Sequence, residues 1–453
     1  MDKPLNIIVL FNDDHGQWAL PTYGNSELHT PNIDYLADSG VVFDNAFTPV
    51  PVCSPARACF FTGLMPSQHG IHDYIAAADQ FHQKAWLDDF ITLPQILSEN
   101  GYQTGLSGKW HLGRDEKVQS GFDDWFALSG DYPIKHKGSY RYSDNGQIKS
   151  LSGYKTNLIA DRTVEFIRRQ SPDQPFFHFT SFYATHSPWS GHPERLVRMY
   201  RGCSFDDIPS EERVFAGKLL NIERTSSTTE EIQEARAQYY ASVTTIDEAV
   251  GRILDELETS GFSGNTIIVY TSDHGLCLGH HGVWGKGNAT APQNMIEESI
   301  RIPMILRAPA ILPKATRRSE FVDHLDLYQT ILDCADLAPP GNNYAGKSLL
   351  SLIAEQADWR EVQYGEYGTA RMIRTHSHKL IQRYDNQTSE LFNLSSIAGE
   401  EQNVIAMEES KSIAAELGEM LAAHFNHLGC AQPNNASFSG ENRFNTAEAW
   451  RNT

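Results

Sequence analysis

The sequence predicts an α/β fold with a small antiparallel unit appended, and three observations carry that reading. Short continuous apolar runs at residues 6–12, 265–272 and 302–308 have the character of strands covered on both faces. Stretches with helical apolar spacing alternate with them, among others at 157–170 and 231–259. After Pro339-Pro340-Gly341 the pattern changes to short alternating segments, which suggests a separate antiparallel sheet. The 453 residues suit one large domain and a smaller one, divided here as 1–341 and 342–453. A content of 40% hydrophobic and 11% aromatic residues is enough for a sizeable core.

The first strand, Asn6 to Asn12, ends in Asp13-Asp14-His15-Gly16. In open parallel sheets ligands gather at the carboxyl ends of strands. Two adjacent acids there are costly unless something cationic pairs with them. Paired carboxylates are hard oxygen ligands suited to Ca²⁺ or Mg²⁺; a solvated, capping turn is the competing reading. Thr30-Pro31 opens a helix with Ile33, Leu36 and Ala37 on its apolar face. The run Phe47-Thr48-Pro49-Val50-Pro51-Val52 cannot be helical, because its two prolines remove donors and fix φ. Pro55 fits a first helical turn, so Cys53 falls at a loop-to-helix junction, where backbone N–H groups favour anions. Arg57 lies one turn further on the same face. A thiol at a helix start beside an arginine is expected to be reactive; the alternative is a small buried apolar residue.

Thr92 to Leu97 opens a helix closed by Gly101, and residues 103–107 form a short strand before Gly108-Lys109-Trp110-His111. If this stretch is extended, Lys109 and His111 face one cavity; a surface lysine and a core histidine are the competing reading. The helix at 157–170 precedes an aromatic strand, Pro175 to Tyr183, which ends at Ala184-Thr185-His186-Ser187-Pro188. Residues 190–228, irregular and mixed in charge, are expected to form a lid or rim. The strand 265–272 ends in Asp273-His274-Gly275 and repeats the logic of Asp13-Asp14. Four glycines between Gly279 and Gly287, flanking Lys286, suggest close backbone approach. A strand at 302–308 and a helix at 322–337 follow. The appended unit comprises segments 362–367, 370–375, 378–384 and 390–394, then a helix with Ala414, Leu417, Leu421 and Phe425 on one stripe. The last 23 residues are polar and expected to run over the surface.

A net charge of -20 argues against nucleic acid and against an anionic membrane surface as partners. An anionic substrate must then be drawn by a local cationic pocket. No run approaches the ~20 apolar residues of a membrane span. The first strand pattern begins by Asn6, so a cytoplasmic chain is expected, or one whose leader has been removed from a periplasmic or secreted protein. Six widely scattered cysteines form neither a disulfide framework nor a CxxC metal pair.

Two strand ends thus deliver acidic tips, and Lys109, His111, His186 and Lys286 supply cationic or protonatable groups. Such a set is what a metal-assisted hydrolase of an anionic ester requires. The order of these residues also resembles a known family. Cys53-Ser-Pro-Ala-Arg57, extended to Thr62-Gly63, resembles the signature of the formylglycine-dependent sulfatases, and Gly101 to His111 resembles that family's second signature. Asp13-Asp14, Thr30-Pro31-Asn32, 184–188, 271–275 and 285–287 match further landmarks in order.

The resemblance implies an alkaline-phosphatase-like fold, a large mixed, mostly parallel sheet sandwiched by helices. It implies that a formylglycine-generating enzyme oxidises Cys53 to 3-oxoalanine, whose hydrate is the nucleophile. Asp13, Asp14, Asp273, His274 and the modified Cys53 would bind a divalent cation, usually Ca²⁺. Many relatives carry Asn where His274 stands; imidazole also suits Mn²⁺, and Mg²⁺ is a further alternative. Arg57 would help to activate the nucleophile, and Lys109, His186 and Lys286 would hold the sulfate. His186 or Lys286 would protonate the leaving alcohol, and His111 would take the proton that expels sulfate. His69 and His281 resemble family landmarks; with His15, His72 and His280 they are read as structural or rim residues. Arg371 and Arg374 are read as surface residues within reach of the rim. The implied activity is hydrolysis of a small anionic sulfate ester, with a sulfated sugar or glycan fragment as the default. The alternatives are a phosphonate monoester or phosphodiester hydrolase of the same superfamily, and an inactive sulfated-glycan binding protein, which would have lost a ligand or the cysteine.

Overall fold

A computed structural model describes residues 4–75, 84–129, 136–208, 217–220, 228–356, 358–384, 387–397 and 399–430. The polar tail and much of the expected lid segment lie outside the described residues.

Ten strands form one mixed sheet: β1 (Asn6–Asn12), β2 (Val41–Phe47), β3 (Gln103–Gly108), β4 (Asp124–Leu128), β5 (Lys137–Asp144), β6 (Gln147–Tyr154), β7 (Phe176–Ser181), β8 (Thr266–Ser272), β9 (Met304–Arg307) and β10 (Thr316–Asp323). Their spatial order is β10-β2-β9-β8-β1-β7-β3-β4-β5-β6. The central run from β8 through β1, β7 and β3 to β4 is parallel, as is the β2–β10 pair. β9 runs antiparallel to both of its neighbours, and β5 and β6 add an antiparallel edge.

Helices cover both faces. They include α1 (Pro31–Asp38), α2 (Cys53–Thr62), α3 (Leu93–Glu99), α4 (Lys155–Arg168), α5 (Thr229–Thr259) and α6 (His324–Cys334). Strand side chains alternate between two cores. Ile7, Val9 and Phe11 pack with Phe60 and Phe61 of α2, Leu97 of α3 and Ile331 of α6. Ile8 and Leu10 pack with Ile33 of α1, Ile159 of α4, and Ile246 and Val250 of α5. All seven residues of β1 are buried, which is why its sequence is a continuous apolar run and not an alternating one.

The other strands lack that signature. β2 is interrupted by Asp44-Asn45, and the β5–β6 hairpin and the first half of β10 are largely polar and partly exposed. Such edge strands are covered on one face or neither, so apolar content does not reveal them. β10 also takes the start of the segment expected to be helical from 322. Asp323 ends the strand and caps α6, its side chain accepting from the N–H groups of Leu325 and Asp326.

Beyond residue 341 a four-stranded antiparallel sheet runs β11 (Gln363–Tyr367), β12 (Ala370–Arg374), β13 (His378–Arg383) and β14 (Glu390–Asn393) in order, and α7 (Lys411–His427) packs on it through Leu417, Leu421 and Phe425. Its core is continuous with Val50, Val52, Ala56 and Cys59, which flank Cys53. The small sheet therefore buttresses the loop-to-helix junction. Among the described residues no helix is long and apolar enough to cross a membrane.

Candidate active site

The parallel register of the central strands assembles the site. β1 and β8 pair in step up to Asn12 and Ser272, so Asp13-Asp14 and Asp273-His274 leave the sheet side by side. On the other flank β3 pairs with β7 up to Gly108 and Ser181, and Lys109 continues by donating its N–H to the Ser181 carbonyl at 3.0 Å. Gly108 has φ 119°, and a Cβ there would lie 1.9 Å from the Ser181 oxygen, so this crossing requires glycine. Cys53 is the first residue of α2, entered from the extended Val52, and every residue of that helix is buried.

Ligand atoms of Asp13, Asp14, Cys53 and His274 all lie within 4.8 Å of one another. The Cys53 Sγ is 3.4 Å from Asp13 Oδ1, 3.3 Å from His274 Nε2 and 3.4 Å from Lys286 Nζ. His274 donates from Nδ1 to the Gly275 carbonyl at 2.8 Å, which turns the Nε2 lone pair toward the carboxylates. Lys109 Nζ sits 2.5 Å from Asp13 Oδ2, and Lys286 Nζ 2.5 Å from Asp14 Oδ1. Arg57 holds Asp273 Oδ2 through Nε at 3.2 Å and Nη2 at 3.0 Å, and its Nη1 donates to the Lys109 carbonyl and to Ser181 Oγ.

Three carboxylates are thus matched by three cations in a fully buried cluster. Burial works against ionisation of Asp13, but Lys109, Arg57 and Lys286 outweigh it and hold the carboxyl well below its usual range. Asp14 is lowered in the same way, chiefly by Lys286. With charge balanced among the side chains, a bound dication leaves a positive surplus that suits an anionic substrate.

The residues fit a divalent cation. Asp14 Oδ2 is buried without a hydrogen bond, 4.0 Å from His186 Nε2, and the donor set of two carboxylates and an oriented imidazole matches the ligand chemistry of Ca²⁺, Mg²⁺ or Mn²⁺. Asp273 stands outside the tight group of four. Its Oδ2 is occupied by Arg57, and its Oδ1 accepts the N–H groups of Asp14 and His274 and lies 3.4 Å from His274 Nε2.

Several expectations need correction. Lys109 and His111 do not share a cavity by strand alternation, since β3 ends at Gly108 and His111 turns with φ 62°. His111 donates from Nε2 to the Ile75 carbonyl at 3.0 Å, which leaves the lone pair of the neutral ring on Nδ1. The Cys53 thiol is not an activated thiolate. Complete burial pushes it far up despite Lys109 and Lys286, and Arg57 is committed to Asp273. His186 donates from Nδ1 to its neighbour Ser187's carbonyl, and burial holds it down at about 4, so it is neutral at pH 7.

Arg371 and Arg374 are not surface residues. Arg371 pairs with Glu366 at 3.0 Å and covers the Phe425 ring, and Arg374 pairs with Glu297, both inside the small sheet's contact with the large domain. His69 meets the Cys59 thiol at 3.4 Å, His281 meets Glu298 at 3.1 Å, His280 packs on Trp18 and His15 on Tyr270, and His72 is buried.

Sequence reasoning missed Lys155 and Tyr183. Tyr183 lies between strand β7 and His186, its ring 5.1 Å from the His186 ring and 5.5 Å from Lys109 Nζ. Lys155 sits in the first turn of α4, 3.6 Å from the Tyr183 ring centre. The only available signal was an aromatic residue ending the strand before His186.

Comparison with known proteins agrees with this geometry. The family model described as Sulfatase matches residues 5–337, and one described as N-sulphoglucosamine sulphohydrolase, C-terminal, matches residues 279–427. An N-acetylglucosamine-6-O-sulfatase of Bacteroides thetaiotaomicron is 28% identical over 89% of this chain and 83% of its own. An arylsulfatase of Clostridium perfringens is 28% identical over 88% and 87%. A solved structure in complex with its substrate, D-glucosamine-2-N,6-O-disulfate, has a TM-score of 0.82 at 26% identity, covering 97% of this chain and all of that one.

Proposed function

Because this chain belongs to the sulfatase family, we propose that it hydrolyses sulfate esters of sugars, with residue 53 as the attacking group after a maturation enzyme has converted its thiol to formylglycine. The observation that carries the reading is the convergence of Asp13, Asp14, Cys53 and His274 within 4.8 Å, with Lys109 and Lys286 at its edge. The sugar assignment is supported by the N-acetylglucosamine-6-O-sulfatase relative and by the disulfated glucosamine of the similar structure.

Asp13, Asp14, His274 and Oδ1 of Asp273 would hold the cation, with residue 53 beside them; Ca²⁺ is the cation that the oxygen-rich set suits best. When present, formylglycine and the cation supply the nucleophile and a Lewis acid. The protein's own groups then do the rest. Lys109 and Lys286 hold the sulfate oxygens and meet the charge that grows on them. Arg57 fixes Asp273 and adds positive charge behind residue 53. His111 accepts a proton at Nδ1 in the step that expels sulfate. Lys286, charged and 3.4 Å from the residue 53 side chain, is the better placed donor to the leaving alcohol, because His186 is neutral and its N–H is engaged. His186, with its lone pair on Nε2, accepts from a hydroxyl of the sugar and so orients the substrate.

The test is turnover by protein co-expressed with a formylglycine-generating enzyme, on 4-nitrophenyl sulfate, sulfated monosaccharides and an aryl phosphonate monoester. Sulfate release with a preference for a sulfated sugar supports the reading. Faster cleavage of the phosphonate than of every sulfate overturns it.

A further inference from the structure

The loop that carries Lys286 is closed on itself by one side chain. Asn294 lies 8 residues downstream and is 1% exposed. Its Nδ2 donates to the Lys286 carbonyl at 3.0 Å and to Thr290 Oγ1 at 3.1 Å, with the Gly287 carbonyl at 3.4 Å. Its main-chain N–H donates to the same Gly287 carbonyl at 3.0 Å. The Thr290 hydroxyl donates to the Pro292 carbonyl, so towards Asn294 its oxygen is an acceptor. The Oδ1 of Asn294 meets no donor among the described residues. The amide nitrogen therefore faces the loop, where every neighbour is an acceptor.

The Lys286 carbonyl also accepts the Ala289 N–H at 2.8 Å, and the Gly287 N–H donates to the Pro51 carbonyl at 3.1 Å. A Cβ at Gly287 would lie 2.8 Å from that Pro51 oxygen, so the approach requires glycine. Lys286 thus springs from a backbone tied on both sides, against the turn that leads into Cys53. Its ammonium reaches Asp14 at 2.5 Å and residue 53 at 3.4 Å. A lysine stem is long and flexible, so the position of its ammonium depends on how firmly its base is held.

The small sheet holds Asn294 in turn. From β13, Arg383 Nη2 donates to the Gln293 carbonyl and Lys379 Nζ to the Met295 carbonyl, each at 2.8 Å. Arg383 is anchored by Glu390 of β14, and Lys379 by Glu297. Two buried cations therefore grip the residues on either side of Asn294.

We propose that Asn294 is a positioning residue for Lys286. It acts by aiming the lysine that holds the sulfate and protonates the leaving alcohol, and through it the small sheet becomes part of the catalytic geometry. The proposal rests on the sulfatase reading above.

The experiment uses the matured full chain on phenyl sulfate and 4-nitrophenyl sulfate, with Lys286→Met, Asn294→Ala, Asn294→Leu and each Asn294 change combined with Lys286→Met. Phenol is a poor leaving group that needs a proton, whereas 4-nitrophenolate leaves without one. Asn294→Ala is expected to follow the pattern of Lys286→Met, losing at least about tenfold in kcat on phenyl sulfate and less on 4-nitrophenyl sulfate. Added to Lys286→Met, it should cost under about twofold on 4-nitrophenyl sulfate, because the ammonium it aims is gone. A residue that merely supports the fold would multiply its loss onto that of Lys286→Met. Multiplied losses overturn the proposal, and so does a wild-type kcat in Asn294→Ala. Asn294→Leu keeps the side-chain volume without the donors and carries the comparison should the alanine variant not fold. Loss of the fold in both would make Asn294 a folding residue and overturn the proposal as well. A wild type that cleaves no sulfate ester fails the sulfatase reading and the positioning role with it; turnover with multiplied losses fails the positioning role alone.

Discussion

Arg57 and Asp273 are joined by two hydrogen bonds to a single carboxylate oxygen, Nε at 3.2 Å and Nη2 at 3.0 Å, with both side chains fully buried. The pair ties the first turns of α2 to the end of β8, and so sets where residue 53 stands relative to His274. Removing one partner of a buried pair leaves an uncompensated charge, which costs about 3–5 kcal/mol. Asp273→Ala should therefore lower the melting temperature even in EDTA, besides lowering activity at least about a hundredfold. Arg57→Lys should lower both as well, since an ammonium cannot serve Asp273, Ser181 and the Lys109 carbonyl together. Unchanged melting of the Asp273 variant in EDTA would show that the residue serves the cation alone.

Cys53 should be found as formylglycine in active protein. Peptide mass spectrometry should show one oxygen in place of sulfur and two hydrogens at that position. Cys53→Ala should abolish turnover and keep the fold, because the side chain is small and its thiol is neutral. Full activity from protein whose position 53 is entirely thiol would contradict the assignment.

Activity should depend on a divalent cation held by Asp13, Asp14 and His274. Asp14→Asn withdraws charge from Lys286 and a ligand from the site, so cation content and turnover should fall together, with affinity weaker by about tenfold or more. Metal analysis of the purified variant checks this. A variant with wild-type cation content and turnover would move the site elsewhere.

The two histidines should fail in different steps. His111→Ala is expected to release alcohol once per enzyme and then stall, so a rapid-quench experiment sees an alcohol burst without matching free sulfate. His186→Ala should chiefly raise KM, with a similar factor for activated aryl and unactivated sugar esters, because the neutral ring orients the substrate and donates no proton. A loss in kcat that grows as the leaving group worsens would instead make His186 the acid.

Acid should weaken the contact between the small sheet and the large domain. Burial alone would raise the pKa of Glu297, but Lys379, Arg301 and Arg374 hold it well below the usual range, and Glu298 is brought down to about 2 against the same burial, with His281 as its main partner. A carboxylate depressed in the folded state contributes stability above its unfolded value of about 4.3, and that contribution is lost as pH falls through the folded value. Melting temperature should therefore decline between about pH 4 and pH 2, and Glu297→Gln should flatten the decline and lower stability at pH 7. An equally steep acid limb in the variant would exclude Glu297 as its source.

Much of this was legible in the chain itself. The apolar runs of β1 and β8, buried on both faces, reveal the centre of the sheet, and the polar residues directly after them mark the ligand-binding edge. Pro51 and Pro55 bracket Cys53 at a helix start, which local backbone chemistry dictates. Residue type and order were enough to select Asp13, Asp14, Lys109, Asp273, His274 and Lys286. Tertiary structure alone decided what those residues do to one another. The β1–β8 register sets Asp13 beside Asp273, and the β3–β7 crossing at Gly108 aims Lys109 at Asp13. Complete burial turns an expected thiolate into a neutral thiol, and Arg57, expected to serve it, is committed to Asp273. Lys155 was invisible for the same reason: its ammonium is defined by a ring 28 positions away in the chain, and only packing brings the two within 3.6 Å. Local sequence fixes periodicity, caps and turns, because these act over a few residues; charge state and ligand geometry arise from burial and long-range neighbours, which the chain acquires only on folding.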